Sequence, residues 1–263
     1  MKYEITQQQY VDFLNKLTQT QATARKFDQP TPNYRYAITG SSIGSYATTN
    51  PYVACNYLSW ADLAAYFDWS GLRPMTELEF EKACRGTRTA TANEYAWGTT
   101  SIAGSVYTLN NSGASNEVIA TNYSTSVGNA LYLTTGSTII GPGRVGIFAG
   151  TSGNNGRVTA GATYYGIMEM SGNLWERPVT VSNSAGRAFT GINGDGKLDD
   201  NGNADGTTVG NWPAGTDAAG AGFRGGTWGS AAPYLRVSDR YYAAHADGSR
   251  YADCGGRGVR VAP

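Results

Sequence analysis

The chain has 263 residues, 40% of them hydrophobic and 12% aromatic, which is enough to bury a substantial core. Basic and acidic residues both number 20, so no net field attracts the protein to nucleic acid or to an anionic membrane, and we predict that it binds neither. The sequence has no run of about 18 apolar residues and no signal-peptide pattern, which predicts no membrane insertion. Any export signal is therefore lost, lies upstream or was never present.

Capping patterns predict three helices, all before residue 90. Thr6, Ser59 and Thr76 each precede a Gln, Asp or Glu by three residues and open a stretch with apolar residues at helical spacing. Gly71 and Gly86 are placed to end the second and third of these helices.

From Thr87 onward the chain is rich in Gly, Thr, Ser, Asn and Tyr. Short apolar runs such as "STII" and "GVRV" stand between turn residues, which predicts short strands among long loops. Gly and Ser are spread evenly rather than concentrated in a linker, and no repeat recurs at a fixed period. We therefore predict one domain over residues 1–263.

Six motifs carry a family resemblance: "MKYEITQQQYVDFLN", "GLRPMTELEFEKACRG", "YAWG", "GIMEMSGNLWE", "FRGGTW" and "GGRGVRVA", in this order from Met1 to Ala262. The chain resembles the formylglycine-generating enzyme-like (sulfatase-modifying factor) family. The resemblance implies an α+β fold of the C-type lectin-like class, in the formylglycine-generating enzyme-type variant. That fold is a small twisted antiparallel sheet with flanking helices and extensive irregular loops. It also implies that Met1 corresponds to an internal position, with an N-terminal segment missing.

The oxidases of this family bind copper through two cysteines that follow the "RGGSW" segment. Counted from Trp228, those two places hold Ser230 and Leu235, and neither side chain supplies the thiolate that selects Cu(I). The only histidine, His245, excludes multi-histidine metal sites and is predicted to be exposed and without a catalytic role. We therefore predict that the protein is not an enzyme.

The three cysteines are an odd number at irregular spacing, which supports neither a disulfide framework nor a zinc site. Cys84 lies in a helical pattern and is predicted to be a buried, inert thiol. A Cys55 to Cys84 bridge stays open. Cys254 is a lone thiol that cannot replace a copper-binding pair.

Two segments raise the question of calcium. "INGDGKLDDNGNADG", residues 192–206, repeats hard oxygen ligands but lacks the EF-hand spacing, so a solvated, turn-rich loop is the preferred interpretation over a metal site. The resemblance implies a structural calcium at the "GNxWE" segment, through Asn173 and Glu176. No cofactor is required for the function predicted below.

The end of the chain also resembles the variable region of the variable proteins of diversity-generating retroelements. In that subgroup, adenine-directed mutagenesis rewrites AAC or AAT codons, which can never yield Met, Lys, Gln, Glu or Trp. Residues 1–228 contain 29 residues of these five types and residues 229–263 contain none. At the average rate, about four would be expected in the last 35 residues.

The variable region, about 224–262, divides into frame residues and candidate variable positions. The frame residues carry the fold, with Trp228 predicted to be buried and Arg240 to belong to a buried charged network; they are Arg224, Trp228, Arg236, Val237, Asp239, Arg240, Arg257 and Val259. The candidate variable positions bind ligand and point outward; they are Gly229, Ser230, Pro233, Tyr234, Tyr241, Tyr242, His245, Gly248, Ser249, Tyr251, Ala252, Asp253 and Cys254. Tyrosines are expected to be the anchors of this surface.

These observations predict a non-enzymatic, receptor-binding variable protein. Its partner would be a variable ligand, a protein or another cell-surface molecule, met at a cell surface or on a virus particle. Two alternatives stay open: a formylglycine-generating enzyme-like oxidase, and a structural surface protein of the same fold without a diversified site.

Overall fold

The computed structural model describes residues 1–28, 31–104, 106–133, 136, 138–206 and 210–261. Five α-helices and one 3-10 helix are assigned in these ranges. The helices are α1 (Gln7–Leu14), α2 (Gln19–Arg25), α3 (Trp60–Trp69), α4 (Glu77–Arg85), α5 (Ser184–Arg187) and the 3-10 helix Ala232–Leu235.

The three predicted helices begin at their predicted caps. Thr6, Ser59 and Thr76 each accept a hydrogen bond from the backbone N–H three residues on, at 3.1 to 3.2 Å, and each capping box is complete. Gly71 and Gly86 follow α3 and α4 with φ of +65°, a conformation that glycine adopts without strain. These helix predictions are confirmed.

Helix α2 has no counterpart in the prediction, although Thr18 and Gln21 form a capping box there as well. Only Ala22 and Arg25 are buried among its seven residues, so no apolar stripe marks it. Helix α5 and the 3-10 helix are single turns beyond residue 90, where the sequence indicated no helix.

The strands are short and antiparallel. Strand β1 (Ile38–Thr39) pairs with β2 (Ala47–Thr48), and β3 (Thr108–Asn110) pairs with β4 (Val118–Thr121). Elsewhere in the described residues the sheet contacts are isolated bridges. Together with the helices, they confirm the predicted α+β class, with long irregular loops taking up most of the second half of the described chain.

The two strands expected at "STII" and "GVRV" are not formed. Residues 138–140 are irregular, and Ser137 lies outside the described residues. Val259 makes a single antiparallel bridge with Arg73, with both backbone hydrogen bonds at 2.8 to 2.9 Å. A strand needs several paired neighbours in succession, and only one pair is available here.

The largest core lies between α1 and α3, where Tyr10, Phe13, Trp60 and Phe67 are all at most 1% exposed. The three cysteines are free and buried, so the Cys55 to Cys84 bridge is absent. Cys84 is buried as predicted, and burial raises the pKa of its thiol to about 12, which favours the protonated form.

The end of the chain threads through this scaffold. The backbone N–H of Ile5 donates to Gly256 at 2.9 Å, and Leu58 donates to Cys254 at 3.1 Å. Gly225 and Gly226 turn the chain with φ of +89° and +71°, a pair of left-handed conformations that favours glycine. Residues 224–261, which we call the tail, are therefore held in place by backbone hydrogen bonds, while their loops lie at the surface. Among the described residues, no helix has the length and apolar character needed to cross a bilayer.

Candidate functional site

The tail folds around an open cavity of about 400 Å³, which we call the hollow. Backbone hydrogen bonds from Trp175 to Asp253 and from Phe223 to Tyr242, at 2.9 and 3.0 Å, join the tail to two earlier segments and form its base. The hollow is lined by Trp175, Phe223, Gly229, Ser230, Ala231, Tyr234, Tyr242, His245, Asp247, Tyr251, Asp253 and Cys254.

Aromatic rings form the floor and walls. Trp175 and Phe223 are 8% and 6% exposed and lie at the floor. The Trp175 ring stands at 77° to Tyr234 and 78° to Tyr242, with centroids 6.4 and 5.7 Å apart. The two tyrosines stack on each other at 5.9 Å. Because Trp175 meets the two tyrosines at steep angles, the rings line a concave space rather than a flat platform.

The polar groups of the hollow include two carboxylates. Asp247 accepts hydrogen bonds from the Ser249 backbone N–H and from the Tyr251 hydroxyl, both at 2.8 Å. The first of these bonds chiefly lowers the pKa of Asp247, which keeps this group ionised. Burial raises the pKa of Asp253. The Nε2 atom of His245 lies 3.7 Å from Asp247.

A buried cation lies behind this floor. The guanidinium carbon of Arg177 is 4.2 Å from the Phe223 ring centroid, and Arg177 is 3% exposed. Its Nη2 donates to the carbonyl oxygen of Asp247, and its Nε and Nη1 have no partner among the described residues. Burial lowers the pKa of Arg177. The positive charge thus supports the floor from below.

The candidate variable positions fall into three groups by exposure. Gly229, Pro233, Tyr241, His245, Ser249 and Tyr251 are exposed. Ser230, Tyr234, Tyr242, Gly248, Ala252 and Asp253 are half-buried. Cys254 alone is buried, at 1%, and packs with Trp175 and Phe223.

The hollow collects most of these positions but not all. The candidates that line it are Gly229, Ser230, Tyr234, Tyr242, His245, Tyr251, Asp253 and Cys254. Tyr241, which is 73% exposed, packs edge-on against Tyr242 with the centroids 4.7 Å apart. Pro233, Gly248, Ser249 and Ala252 are not part of the lining. Ala262, the end of the variable region, lies outside the described residues.

The frame residues are anchored by ion pairs. Arg224, with no exposed side-chain surface, binds Glu77 and Glu81 of α4, both at 3.0 Å. Val237 packs in a core cluster with Phe80 and Met75. The buried guanidinium of Arg257 donates to the buried carboxylate of Glu176. These contacts join the tail to earlier segments of the chain.

Two frame predictions need correction. Trp228 is half-buried rather than buried, because its ring packs near the surface against the Tyr34 ring, with the two centroids 5.3 Å apart. Arg240 binds the buried Glu77 at 2.8 Å, but 43% of its own side chain is exposed. Each is therefore expected to contribute less to stability than a fully buried group.

Arg250 is not among the predicted frame residues, but its contacts are those expected of one. It stands between two candidate positions, Ser249 and Tyr251, and donates to both carboxylate oxygens of Asp62 in α3. A third hydrogen bond reaches the carbonyl oxygen of Ala24 at 2.8 Å. The partners Asp62 and Ala24 lie 188 and 226 residues away in sequence, so no local signal identifies them.

Four lining residues were likewise absent from the prediction: Trp175, Phe223, Ala231 and Asp247. Trp175 and Phe223 belong to "GNLWE" and "FRGGTW", where only neighbouring residues had been singled out. Ala231 and Asp247 lie between candidate positions of the tail. For those two, position within the tail was the available signal.

The structure gives protein partners to both residues of the calcium prediction. Asn173 accepts a hydrogen bond from the Gly143 backbone N–H at 2.8 Å and donates to Glu4. One oxygen of Glu176 accepts from Arg257, while its Oε2 is buried without a partner among the described residues. A guanidinium beside Glu176 opposes a second cation there, so calcium at these residues stays a prediction and requires Arg257 to move.

The segment 192–206 forms a turn-rich loop, with Asp199 accepting hydrogen bonds from the backbone N–H groups of Asn201 and Asn203. It also brings Asp195 and Asp205 close to Asp68 of α3. Asp68 accepts from the backbone N–H groups of both, at 3.0 and 2.9 Å, so its own oxygens are already engaged. Burial raises the pKa of Asp68 to about 6.

The places of the two copper-binding cysteines contain no thiol. Ser230 lies at the hollow and its hydroxyl oxygen accepts from the Thr227 backbone N–H at 3.1 Å. Leu235 is fully buried. Burial raises the pKa of the nearest cysteine thiol in the tail, Cys254, which keeps it protonated.

Comparison with known proteins places this architecture among described families. Residues 1–262 match the family described as sulfatase-modifying factor enzyme 1-like domain. Among solved structures, Treponema denticola variable protein 1 is similar, with 16% sequence identity and a TM-score of 0.45 over 96% of this chain and 80% of that chain. The curated proteins contain no match to this sequence.

Proposed function

This chain belongs to the sulfatase-modifying factor enzyme 1-like domain family, and we propose that it is a non-enzymatic member that binds a ligand at the hollow. We further propose that its tail surface is diversified by a retroelement, as in the variable proteins of diversity-generating retroelements. The observation that carries the proposal is the separation in the tail: eight of the thirteen candidate variable positions line the hollow, while the frame residues Arg224 and Arg257 bind the scaffold through buried ion pairs.

The non-enzymatic part rests on side-chain chemistry. The family includes oxidases that use a cysteine pair, and the matching places here hold a hydroxyl and an aliphatic side chain, Ser230 and Leu235. Neither is a soft ligand for Cu(I). Cys254 is a single buried thiol with a raised pKa, so it supplies neither a pair nor a ready thiolate.

The diversification part rests on composition and on physical tolerance. Codons of the NNC or NNT type encode every residue type found at the thirteen candidate positions, and the last 35 residues lack the five types that such codons cannot encode. Exposed substitutions usually change stability by about 0.5 kcal/mol or less, whereas breaking a buried ion pair costs about 3 to 5 kcal/mol. A tail built this way can change its surface while the fold survives.

The ligand-binding part rests on the hollow itself. Its volume of about 400 Å³ lies within the range of small-ligand and side-chain pockets. Tyrosine supplies large contact area with few torsions, and Ser, Gly and Asp supply adjustable hydrogen bonds. We propose a protein or another cell-surface molecule as the ligand, met at a cell surface or on a virus particle.

The proposal requires no cofactor. Structural calcium at Asn173 and Glu176 is retained as a separate proposal, supported by the family resemblance and by the unpartnered Oε2 of Glu176. A ligand that binds only the folded chain raises its Tm. Calcium at this site is expected to raise the Tm relative to a chelated sample, and an unchanged Tm would refute it.

The gene's surroundings test the diversification directly. We expect a neighbouring reverse transcriptase gene and an imperfect copy of the tail-coding segment that differs from it at adenines. In that copy, the codons for the candidate positions should read AAC or AAT. A gene with neither feature would favour the structural surface protein without a diversified site.

A further inference from the structure

The accessible charges of the hollow are negative. Asp247 and Asp253 are both in its lining, and none of the described lining residues is a Lys or an Arg. The nearest buried cation, Arg177, sits behind the Phe223 ring and is 3% exposed. His245 also lines the hollow, and its ring centroid lies 5.7 Å from that of Tyr242. A guest entering from solvent therefore meets two carboxylates before it meets any fixed positive charge.

The aromatic walls favour the same sign of charge. The faces of aromatic rings carry partial negative charge and attract ammonium groups within about 6 Å of the centroid. Trp175 meets Tyr234, Tyr242 and Phe223 at 77°, 78° and 63°, so the rings that line the hollow have several orientations. A flat guest such as a sugar ring is better served by a single open platform. A compact cation is better served by a concave site with rings in several orientations.

From this charge and ring geometry we propose that the hollow accepts an alkylammonium group, the end of a lysine side chain on a protein partner. The inference rests on the proposed function, because it names the chemistry of the ligand of that same site. The methylene stem would pack on the Tyr234 and Tyr242 walls, and the ammonium would donate hydrogen bonds to Asp247 and Asp253. The hollow's volume of about 400 Å³ leaves room for the peptide segment that carries the lysine.

A direct test uses Nα-acetyl-lysine methylamide as the probe and the full chain as the target. The indole N–H signal of Trp175 is followed by NMR during the titration. We expect a saturable shift with a dissociation constant on the order of millimolar, since a single cation–π and ion-pair contact is weak. The probe with an acetylated Nε atom has the same stem without the charge and should give no saturable shift. Equal binding of the two probes, or no saturable shift with the charged probe, would overturn the inference.

A matched pair of variants locates the contact. Asp247→Asn with Asp253→Asn should weaken probe binding about tenfold or more, as expected when charge-assisted hydrogen bonds are lost. Asp200→Asn removes one charge from an exposed acid outside the lining and should leave binding unchanged. Asp247 also accepts hydrogen bonds from Ser249 and Tyr251, so its replacement can disturb the local fold. Asp253→Asn alone is therefore measured too, with the Tm as a check on folding. Unchanged affinity in both hollow variants would overturn the inference.

Selection from a random peptide library separates this inference from the proposed function. Peptides whose binding is lost in the exposed wall variant Tyr251→Ala bind at the hollow. Enrichment of lysine in those peptides supports the inference. Hollow-dependent peptides without lysine overturn it and leave the proposed function intact. Peptides that bind the native chain, Tyr251→Ala and the double aspartate variant equally well overturn both proposals, because the hollow is then not the binding site.

Discussion

Arg250 of the tail holds both carboxylate oxygens of Asp62 in α3, at N–O distances of 2.6 and 2.7 Å. Asp62 is fully buried, while the two residues that flank Arg250, Ser249 and Tyr251, are exposed. One step along the chain thus separates a side chain that fixes the backbone from side chains that face solvent. This alternation lets the tail change its surface without changing its path.

Arg250→Ala should destabilise the protein by about 3 kcal/mol, the lower end of the cost of breaking a buried pair. The lower end applies because Arg25 remains 3.5 Å from Asp62. Ser249→Ala, one residue earlier, should change stability by about 0.5 kcal/mol or less. Urea unfolding of the two variants measures the difference. Equal effects would mean that Arg250 is not a frame residue.

Arg224 and Arg240 offer a matched comparison because both bind Glu77. Arg224 has no exposed side-chain surface, so Arg224→Ala leaves Glu77 with the partly exposed Arg240 as its ion-pair partner and should cost about 3 kcal/mol, the lower end of the cost of breaking a buried pair. Arg240 has 43% of its side chain exposed, so Arg240→Ala should cost about 1 kcal/mol or less. Thermal melts decide the order. A larger loss for Arg240 would contradict the assignment of the anchor.

The tyrosines of the tail should differ in their effect on stability. Tyr241→Ala and Tyr251→Ala remove exposed rings and should each cost about 0.5 kcal/mol or less. Tyr242→Ala also removes ring contacts with Trp175 and Tyr241 and should cost about 1 to 2 kcal/mol. All three should retain cooperative unfolding. Loss of folding in Tyr251→Ala would show that this residue supports the core.

Stability should fall as the pH rises through the range in which Glu169 ionises. Burial raises the pKa of Glu169 from 4.5 to about 7, against the opposing charge of Arg257. The unfolded chain loses this proton first, so the stabilisation is complete below pH 4.5 and is lost as the pH rises to about 7. Glu169→Gln resembles the protonated form and should raise the Tm at pH 8 but not at pH 4.

Asp68, with a pKa raised to about 6, contributes a loss of stability in an overlapping window. The comparison of the native chain with Glu169→Gln cancels the Asp68 contribution, because Asp68 is present in both. Equal Tm differences at pH 4 and pH 8 would contradict the assignment of the raised pKa to Glu169.

The chain should not oxidise the cysteine of a sulfatase-type peptide, with or without added copper. The places of the thiolate pair hold Ser230 and Leu235, and Cys254 is a single buried thiol. Mass spectrometry of the peptide after incubation detects formylglycine. Turnover above a control without protein would contradict the non-enzymatic assignment.

The sequence predicted local features well and long-range contacts poorly. Capping boxes at Thr6, Ser59 and Thr76 identified three helices, because a cap is formed by residues three positions apart. Helix α2 was not predicted because its residues form no apolar stripe. The codon-derived pattern pointed to side chains that line the hollow, such as Tyr234 and Tyr242.

The remainder depended on tertiary structure. The pairing of Arg250 with Asp62 and the closure of the hollow by Trp175 and Phe223 join segments far apart in sequence. Periodicity contains no information about such contacts. Periodicity also did not predict how exposed a single residue is, as the exposed side chain of Arg240 shows.

Sequencing the tail-coding DNA from many members of the source population tests the central claim most directly. The account predicts that amino-acid differences are concentrated at the candidate variable positions, with Tyr234, Tyr242 and Tyr251 replaced by other residues of NNC or NNT codons. Arg224, Arg250 and Arg257 should be unchanged in the same chains. Tails that are identical throughout the population, or differences spread evenly over frame and candidate positions, would contradict the account.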